Sequence, residues 1–222
     1  MPASGAVTRS TLRQQIADAL RDEVLAGRMQ PGEEFTVKQI AEQYGVSATP
    51  VREALVDLSA QGLLDSDQHK GFRVHEFSVD DYRSMVEARS LIVDGVFRKL
   101  VFRGAHREAL VSVRRRAEEA ARAARSGDLA ILIGYDLRYW RELGALTGNT
   151  HIAEFLNRLR VQGWVFAVPY LRDLGEDDLC AALWSGHEEL ADALSRGDRE
   201  GAYESIAEYN AHGLRWADGL KP

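Results

Sequence analysis

The sequence predicts a mainly α protein: an N-terminal winged helix-turn-helix with a small β-hairpin wing, then a C-terminal all-α helical bundle. Three observations carry this. Residues 36–58 read as two short helices hinged at a glycine. Residues 63–75 read as two short apolar-containing runs about a polar turn. After Ser78, apolar residues recur at helical spacing to the end of the chain, with no convincing strand. The units are therefore placed at 1–77 and 78–222, and 222 residues give each room for its own core.

Within the first unit, Thr36 and Gln39 have capping-box spacing at the start of a helix. Gly45 supplies the positive φ that ends it and swings the chain. Ser47 is placed to cap the second helix, and Pro50 falls in its first turn, where a missing N–H costs little. Val51, Ala54, Leu55 and Leu58 form the inward stripe, which leaves Thr49, Arg52 and Glu53 facing out. A helix presented this way suits the major groove of DNA. Gly62 ends it. Leu63 to Ser66 and Phe72 to His75 then flank Asp67-Gln68-His69-Lys70-Gly71, a hairpin with a basic tip able to reach phosphates or the minor groove.

Composition bounds the function. A hydrophobic content of 45% with 28% charged residues is that of a soluble globular chain. There is no apolar run of membrane-spanning length, and Met1 to Ser10 read as a loose polar arm without a signal-peptide core. One cysteine, Cys180, forms no internal disulfide and is placed at a buried helix position; the cytoplasm is the expected compartment. Net charge is −6, and residues 1–75 carry eight Lys/Arg against ten Asp/Glu, a balance of −2. A nucleic-acid partner would therefore need a local basic face, for which Lys38, Arg52, Lys70 and Arg73 are the candidates.

In the second unit, Ser78 to Asp81 reads as a capping box. Six helical segments follow, at about 79–102, 105–126, 128–147, 149–168, 176–195 and 198–217, with breaks at Gly104, Ser126-Gly127, Gly148, the loop from Pro169 to Gly175, and Gly197. The arginines of 114–125 interleave with Glu118 and Glu119, as on a solvated helix face. Asp136 shares a stripe with Leu129, Leu132, Ile133, Trp140 and Leu143. His187 shares one with Leu179, Leu183, Leu190 and Leu194. Tyr209 and His212 lie near a third, with Ile206 and Trp216. Asp136 and His187 thus point inward, where each needs a partner; if the three helices converge, an effector or a metal supplies it.

Leu12 to Val74 resembles the DNA-binding domain of the GntR transcriptional regulators, through Pro31-Gly32, Gly45 to Leu55, Gly62 to Leu64 and Lys70-Gly71. The resemblance implies DNA contacts at Lys38, Ser47, Thr49, Arg52, His69, Lys70 and Gly71. It departs at Ala48, where the family usually has a base-reading arginine. Residues 78–217 resemble the ligand-sensing FCD domain of the FadR branch, through Glu87-Ala88-Arg89, Thr147-Gly148-Asn149, Gly186-His187-Glu188 and Arg196-Gly197-Asp198.

That resemblance implies a homodimer acting on a two-fold-related operator in double-stranded DNA. It also implies a small anionic organic effector, in a cavity placed at Arg89, Asp136, Tyr139, Trp140, His187 and Tyr209. Many members of the branch hold a divalent metal such as zinc through one aspartate and three histidines. Here two of those positions fall on Asp136 and His187, and the others on Trp140 and Tyr209; His212, one turn beyond Tyr209, is the substitute candidate. The leading expectation is a ligand-responsive regulator, a repressor relieved by an organic acid. Two alternatives stay open at this point: a metal-responsive regulator using Asp136, His187 and His212, and a metalloenzyme acting on small acids. No serine or cysteine nucleophile motif lies near a histidine, so the expectation is a non-enzyme.

Overall fold

In the computed structural model, residues 11–67, 70–99 and 107–220 are described. The chain divides between Glu76 and Phe77 into two compact units.

The first unit runs α1 (Leu12–Leu25), β1 (Glu34–Phe35), α2 (Val37–Tyr44), α3 (Ala48–Ala60), β2 (Leu64–Asp67) and β3 (Gly71–Val74). Thr36 and Gln39 form the capping box of α2, and Gly45 ends it in the left-handed region at φ 64°. Ser47 sits at the N-cap of α3 with extended backbone, but its hydroxyl makes no capping bond. The reason is local: the third helical residue is Pro50, which has no N–H to give. Val51, Ala54, Leu55 and Leu58 are fully buried where α3 packs on α1 and α2.

The hairpin forms as read, with Leu64 opposite Val74 and Asp67 opposite Gly71. The sequence reading lacked β1, which joins the far side of β3 and makes a three-stranded antiparallel sheet in the order β1-β3-β2. A two-residue strand leaves no periodicity to detect. Gly71 is what lets it approach. It lies at φ 105°, and a Cβ there would stand 2.6 Å from the Phe35 carbonyl oxygen.

The second unit is helical among its described residues: α4 (Val79–Lys99), α5 (Arg107–Arg125), α6 (Leu129–Ala145), α7 (Thr150–Arg172), α8 (Glu176–Ala182), α9 (His187–Arg196) and α10 (Arg199–Asp218). Ser78 and Asp81 form the capping box of α4, at 3.1 and 2.8 Å. The predicted break at Gly104 lies outside the described residues. Helix packing runs α4–α7–α6–α5–α9–α10 and back to α4, so six helices close a ring.

Two boundaries differ from the sequence reading. Helix α7 carries Pro169 inside it and continues to Arg172, because Phe166, Val168 and Leu171 bury its last turns and outweigh one lost hydrogen bond. The predicted helix 176–195 is two helices. Leu183 turns extended, and Trp184 packs against His187, Tyr209 and Trp140 with centroids 4.6, 4.9 and 6.1 Å apart. Gly186 makes room for that indole, since a Cβ there would meet it at 2.7 Å. Cys180 is half-buried on α8, a helix that buries none of its residues fully, rather than a core residue.

Candidate nucleic-acid interface and buried polar cavity

The α2–turn–α3 element places Ser47, Thr49 and Arg52 on its exposed side, with Lys38 across a shallow groove also lined by Val37, Gly45 and Ala48. Among the described residues Arg52 makes no hydrogen bond or ion pair; the nearby candidate Asp57 is held by Arg13 at 3.2 Å. Its guanidinium therefore keeps all five donors for an outside partner.

The expected basic face is less basic than its residue types imply. Lys38 lies 3.7 Å from Glu42, Lys70 lies 3.9 Å from Glu34, and Arg73 lies 3.2 Å from Asp65. These acids come from the neighbouring turn or strand, which a count of cations along the chain does not see. Burial would raise the Asp65 carboxyl, but hydrogen bonds from His75 and Arg73 outweigh it and hold it below the ordinary carboxylate range. Lys70 and Gly71 sit at the hairpin turn; His69 lies outside the described residues.

The ring of helices in the second unit surrounds a partly open cavity of about 70 Å³, enough for a few waters or one small molecule. Asp136, on α6, is its centre. One carboxylate oxygen accepts from Trp140 Nε1 at 2.8 Å and His187 Nε2 at 2.9 Å; the other accepts from Trp164 Nε1 at 2.7 Å. Burial works against the charge on Asp136, but the bond from His187, the nearby Arg160 and the Trp164 N–H overcome it, so the carboxyl ionises below its ordinary range. Tyr139 donates to the His187 carbonyl at 3.2 Å and turns its ring edge-on to that imidazole, which makes it a support behind the cavity.

Two arginines face the cavity, and both are 5% exposed. Arg89, on α4, gives its Nε to Asn210 at 2.7 Å and one terminal nitrogen to the Tyr209 hydroxyl at 3.5 Å; Nη2 has no partner. Arg160, on α7, lies 3.7 Å above the Trp140 ring and 4.8 Å from the centre of Tyr209, and its buried Nη1 has no partner. Burial pushes the Arg160 guanidinium down to about 10, with Tyr209 and Asp136 acting to raise it and Arg89 to lower it. Among the described residues neither arginine has a carboxylate within salt-bridge distance. Tyr82, stacked on Phe166 at 4.8 Å, closes one wall; burial raises its phenol to about 12, so it stays protonated.

Of the residues the sequence places at an effector cavity, Arg89, Asp136, His187 and Tyr209 line this one, whereas Trp140, like Tyr139, packs behind it in the hydrophobic core. Sequence reading missed Arg160, Trp164 and Trp184. The signal for Arg160 was present: Arg160, Trp164, Ala167 and Leu171 recur at helical spacing on one side of α7, a charged residue on an otherwise apolar stripe. Trp184 had no such signal, because it sits in the unpredicted break.

The metal set does not assemble. His212 turns its Nε2 to the Ala182 carbonyl at 2.9 Å, and no group of three His, Cys, Asp or Glu side chains among the described residues is arranged to hold an ion. The Asp136 oxygens are already engaged by three N–H donors, and a buried guanidinium stands close by. These residues do not fit a divalent cation.

Residues 12–74 match the family described as "Bacterial regulatory proteins, gntR family", and residues 84–212 match the FCD domain, which alone is more than half of the chain. The chain belongs to the GntR regulators that carry an FCD domain. It is a transcriptional regulator and not an enzyme. It is 29% identical to a probable D-xylose utilization operon transcriptional repressor of Paenarthrobacter nicotinovorans, over 92% of this chain and 88% of that protein. It is 26% identical to the transcriptional regulator McbR of Escherichia coli K12, over 94% and 93% of the two chains. The solved structure of E. coli McbR/YncC superposes with a TM-score of 0.80 over 95% of this chain and 98% of that one, at 22% identity. As a GntR regulator with an FCD domain, the chain binds DNA through its first unit and a small effector through its second. No helix among the described residues is long and apolar enough to cross a membrane.

Proposed function

We propose that this regulator is a cytoplasmic repressor released from its operator by a small organic acid bound in the α4–α10 cavity. The observation that carries the reading is Arg89: a guanidinium buried in that cavity with Nη2 unpartnered is a donor waiting for an acceptor. Carboxylates are the acceptors that planar guanidinium geometry matches best. The repressor named for the D-xylose operon supports the direction of control.

On the DNA side, Lys38, Ser47, Thr49, Arg52, His69, Lys70 and Gly71 are the proposed contacts. Arg52 reads a base edge, while Lys38, Lys70 and the free Ser47 hydroxyl meet phosphates. The regulator acts as a homodimer on a two-fold-related site, with recognition helices about 34 Å apart or a multiple of it. An acid that favours one arrangement of the helical unit shifts the dimer toward it and lowers operator affinity by its differential affinity for the two states.

The test is a selection of bound duplexes from a random pool, followed by release with a panel of organic acids. A two-fold-symmetric site released by an acid in wild type, but not in Arg89→Met, is the expected result. A selected site without symmetry, or one that no acid releases, contradicts the reading.

A further inference from the structure

The cavity holds two buried guanidinium groups and one buried carboxylate, and the carboxylate bonds to neither. Asp136 is the one carboxylate among its described lining residues, so the arginines leave a surplus of one positive charge, with His187, His212 and the phenols of Tyr82 and Tyr209 as the other titratable groups facing in. Each arginine keeps a buried nitrogen without a partner. Arg160 lies on the rings of Trp140 and Tyr209, the two residues at which this chain departs from the metal-binding pattern of its branch. Arg89 also lies on Tyr209, its Cζ 4.5 Å from the ring centre. Ring faces soften the desolvation of a cation but accept no hydrogen bond in the plane of its donors. The in-plane donors therefore remain to be satisfied.

We infer that Arg160 replaces the metal ion as the second anchor of the effector, so that the cavity takes a monocarboxylate, without any metal, between the guanidiniums of Arg89 and Arg160. One carboxylate cancels the surplus charge and supplies acceptors to both idle nitrogens. A dicarboxylate would bury an excess negative charge beside Asp136. The remaining walls, Trp164, Trp184, Trp216 and Tyr82, give the rest of the ligand flat apolar contact. A buried cation with no carboxylate in salt-bridge distance costs stability, so replacing Arg160 by a shape-filling apolar residue does not destabilise the fold.

The inference rests on the effector cavity proposed above, and its test separates the two. Full-length protein, treated with EDTA and dialysed, is melted at constant ionic strength with acetate, glycolate or benzoate. Acetamide, glycolamide and benzamide are the neutral controls, malonate the dianion, and zinc sulfate alone the metal arm. The expected result is that at least one monocarboxylate raises Tm while its amide does not, with malonate weaker and EDTA without effect. Arg160→Met should melt at or above the wild-type temperature and bind that acid at least about tenfold more weakly, as loss of a charged hydrogen bond requires.

Stabilisation that appears only with zinc, is equal for the amides, or persists in Arg160→Met overturns the inference, as does the absence of a response to every monocarboxylate. If carboxylates bind through Arg160 but leave DNA affinity unchanged, the anchor stands and the effector reading fails. If organic acids release DNA equally well from Arg160→Met, the effector reading stands and the anchor fails.

Discussion

The recognition surface and the cavity are built on opposite principles. On α3, Arg52 is exposed and is left without a partner by a helix whose inward face is completely buried. In the second unit, Arg89 and Arg160 are removed from water, each with a nitrogen unpartnered and with no carboxylate among the described residues within salt-bridge distance. An exposed guanidinium is solvated and costs little to hold ready. A buried one is held at the expense of fold stability, which is tolerated where a ligand later relieves it. Exposure thus fits a partner as large as a duplex, and burial fits one small enough to be enclosed.

The largest effect is expected at Asp136. Asp136→Ala strips the acceptor from the buried N–H groups of Trp140 and His187 and the half-buried one of Trp164, and removes the one carboxylate among the cavity's described lining residues. Unfolding free energy of the helical unit should fall by about 3–5 kcal/mol in denaturant titration. The same carboxyl sets an acid limb. Its folded pKa lies below the ordinary value, so its stabilisation is complete above the ordinary carboxylate range and is lost as pH falls through the folded value. Melting from roughly pH 6 down to pH 3 should show that loss, and Asp136→Asn should flatten it.

Next comes a pair of glycines in the first unit. Gly71→Ala combines φ 105° with a 2.6 Å approach to the Phe35 carbonyl oxygen, and should cost about 3 kcal/mol or more by breaking the β1–β3 pairing. Gly45→Ala has φ 64° but open space for a Cβ, and should cost about 1–2 kcal/mol. Equal losses at the two sites would mean that backbone conformation alone, and not strand approach, fixes the wing. The smallest effect is electrostatic. Lys70→Ala should reduce the slope of log affinity against log salt by about one, with little change in sequence preference. An unchanged slope would show that its ion pair to Glu34 persists on DNA.

The same contrast governs how much was legible in the sequence. Local chemistry was readable: the Thr36–Gln39 box, the left-handed Gly45, the Val51–Leu58 stripe and the hairpin all follow from residues within a few positions of one another. The Ser47 cap failed for an equally local reason, the missing N–H of Pro50. The cavity was readable only as polar residues on apolar stripes, which found Asp136 and His187 and overlooked Arg160 by the same test. What pattern could not show was convergence. The packing that lays Arg160 over Trp140, the break that inserts Trp184, the hydrogen bond that diverts His212 and the acid that pairs with Lys70 all depend on separate elements meeting.

The most direct test of the opposition between the two sites is a titration of one selected operator duplex, at fixed salt and without effector, with wild type, Arg52→Ala and Arg160→Met. Arg52→Ala should lose about 1–3 kcal/mol of operator binding, as removal of a base contact does, while Arg160→Met should bind as wild type. Unchanged affinity in Arg52→Ala, or an equal loss in Arg160→Met, would contradict that opposition.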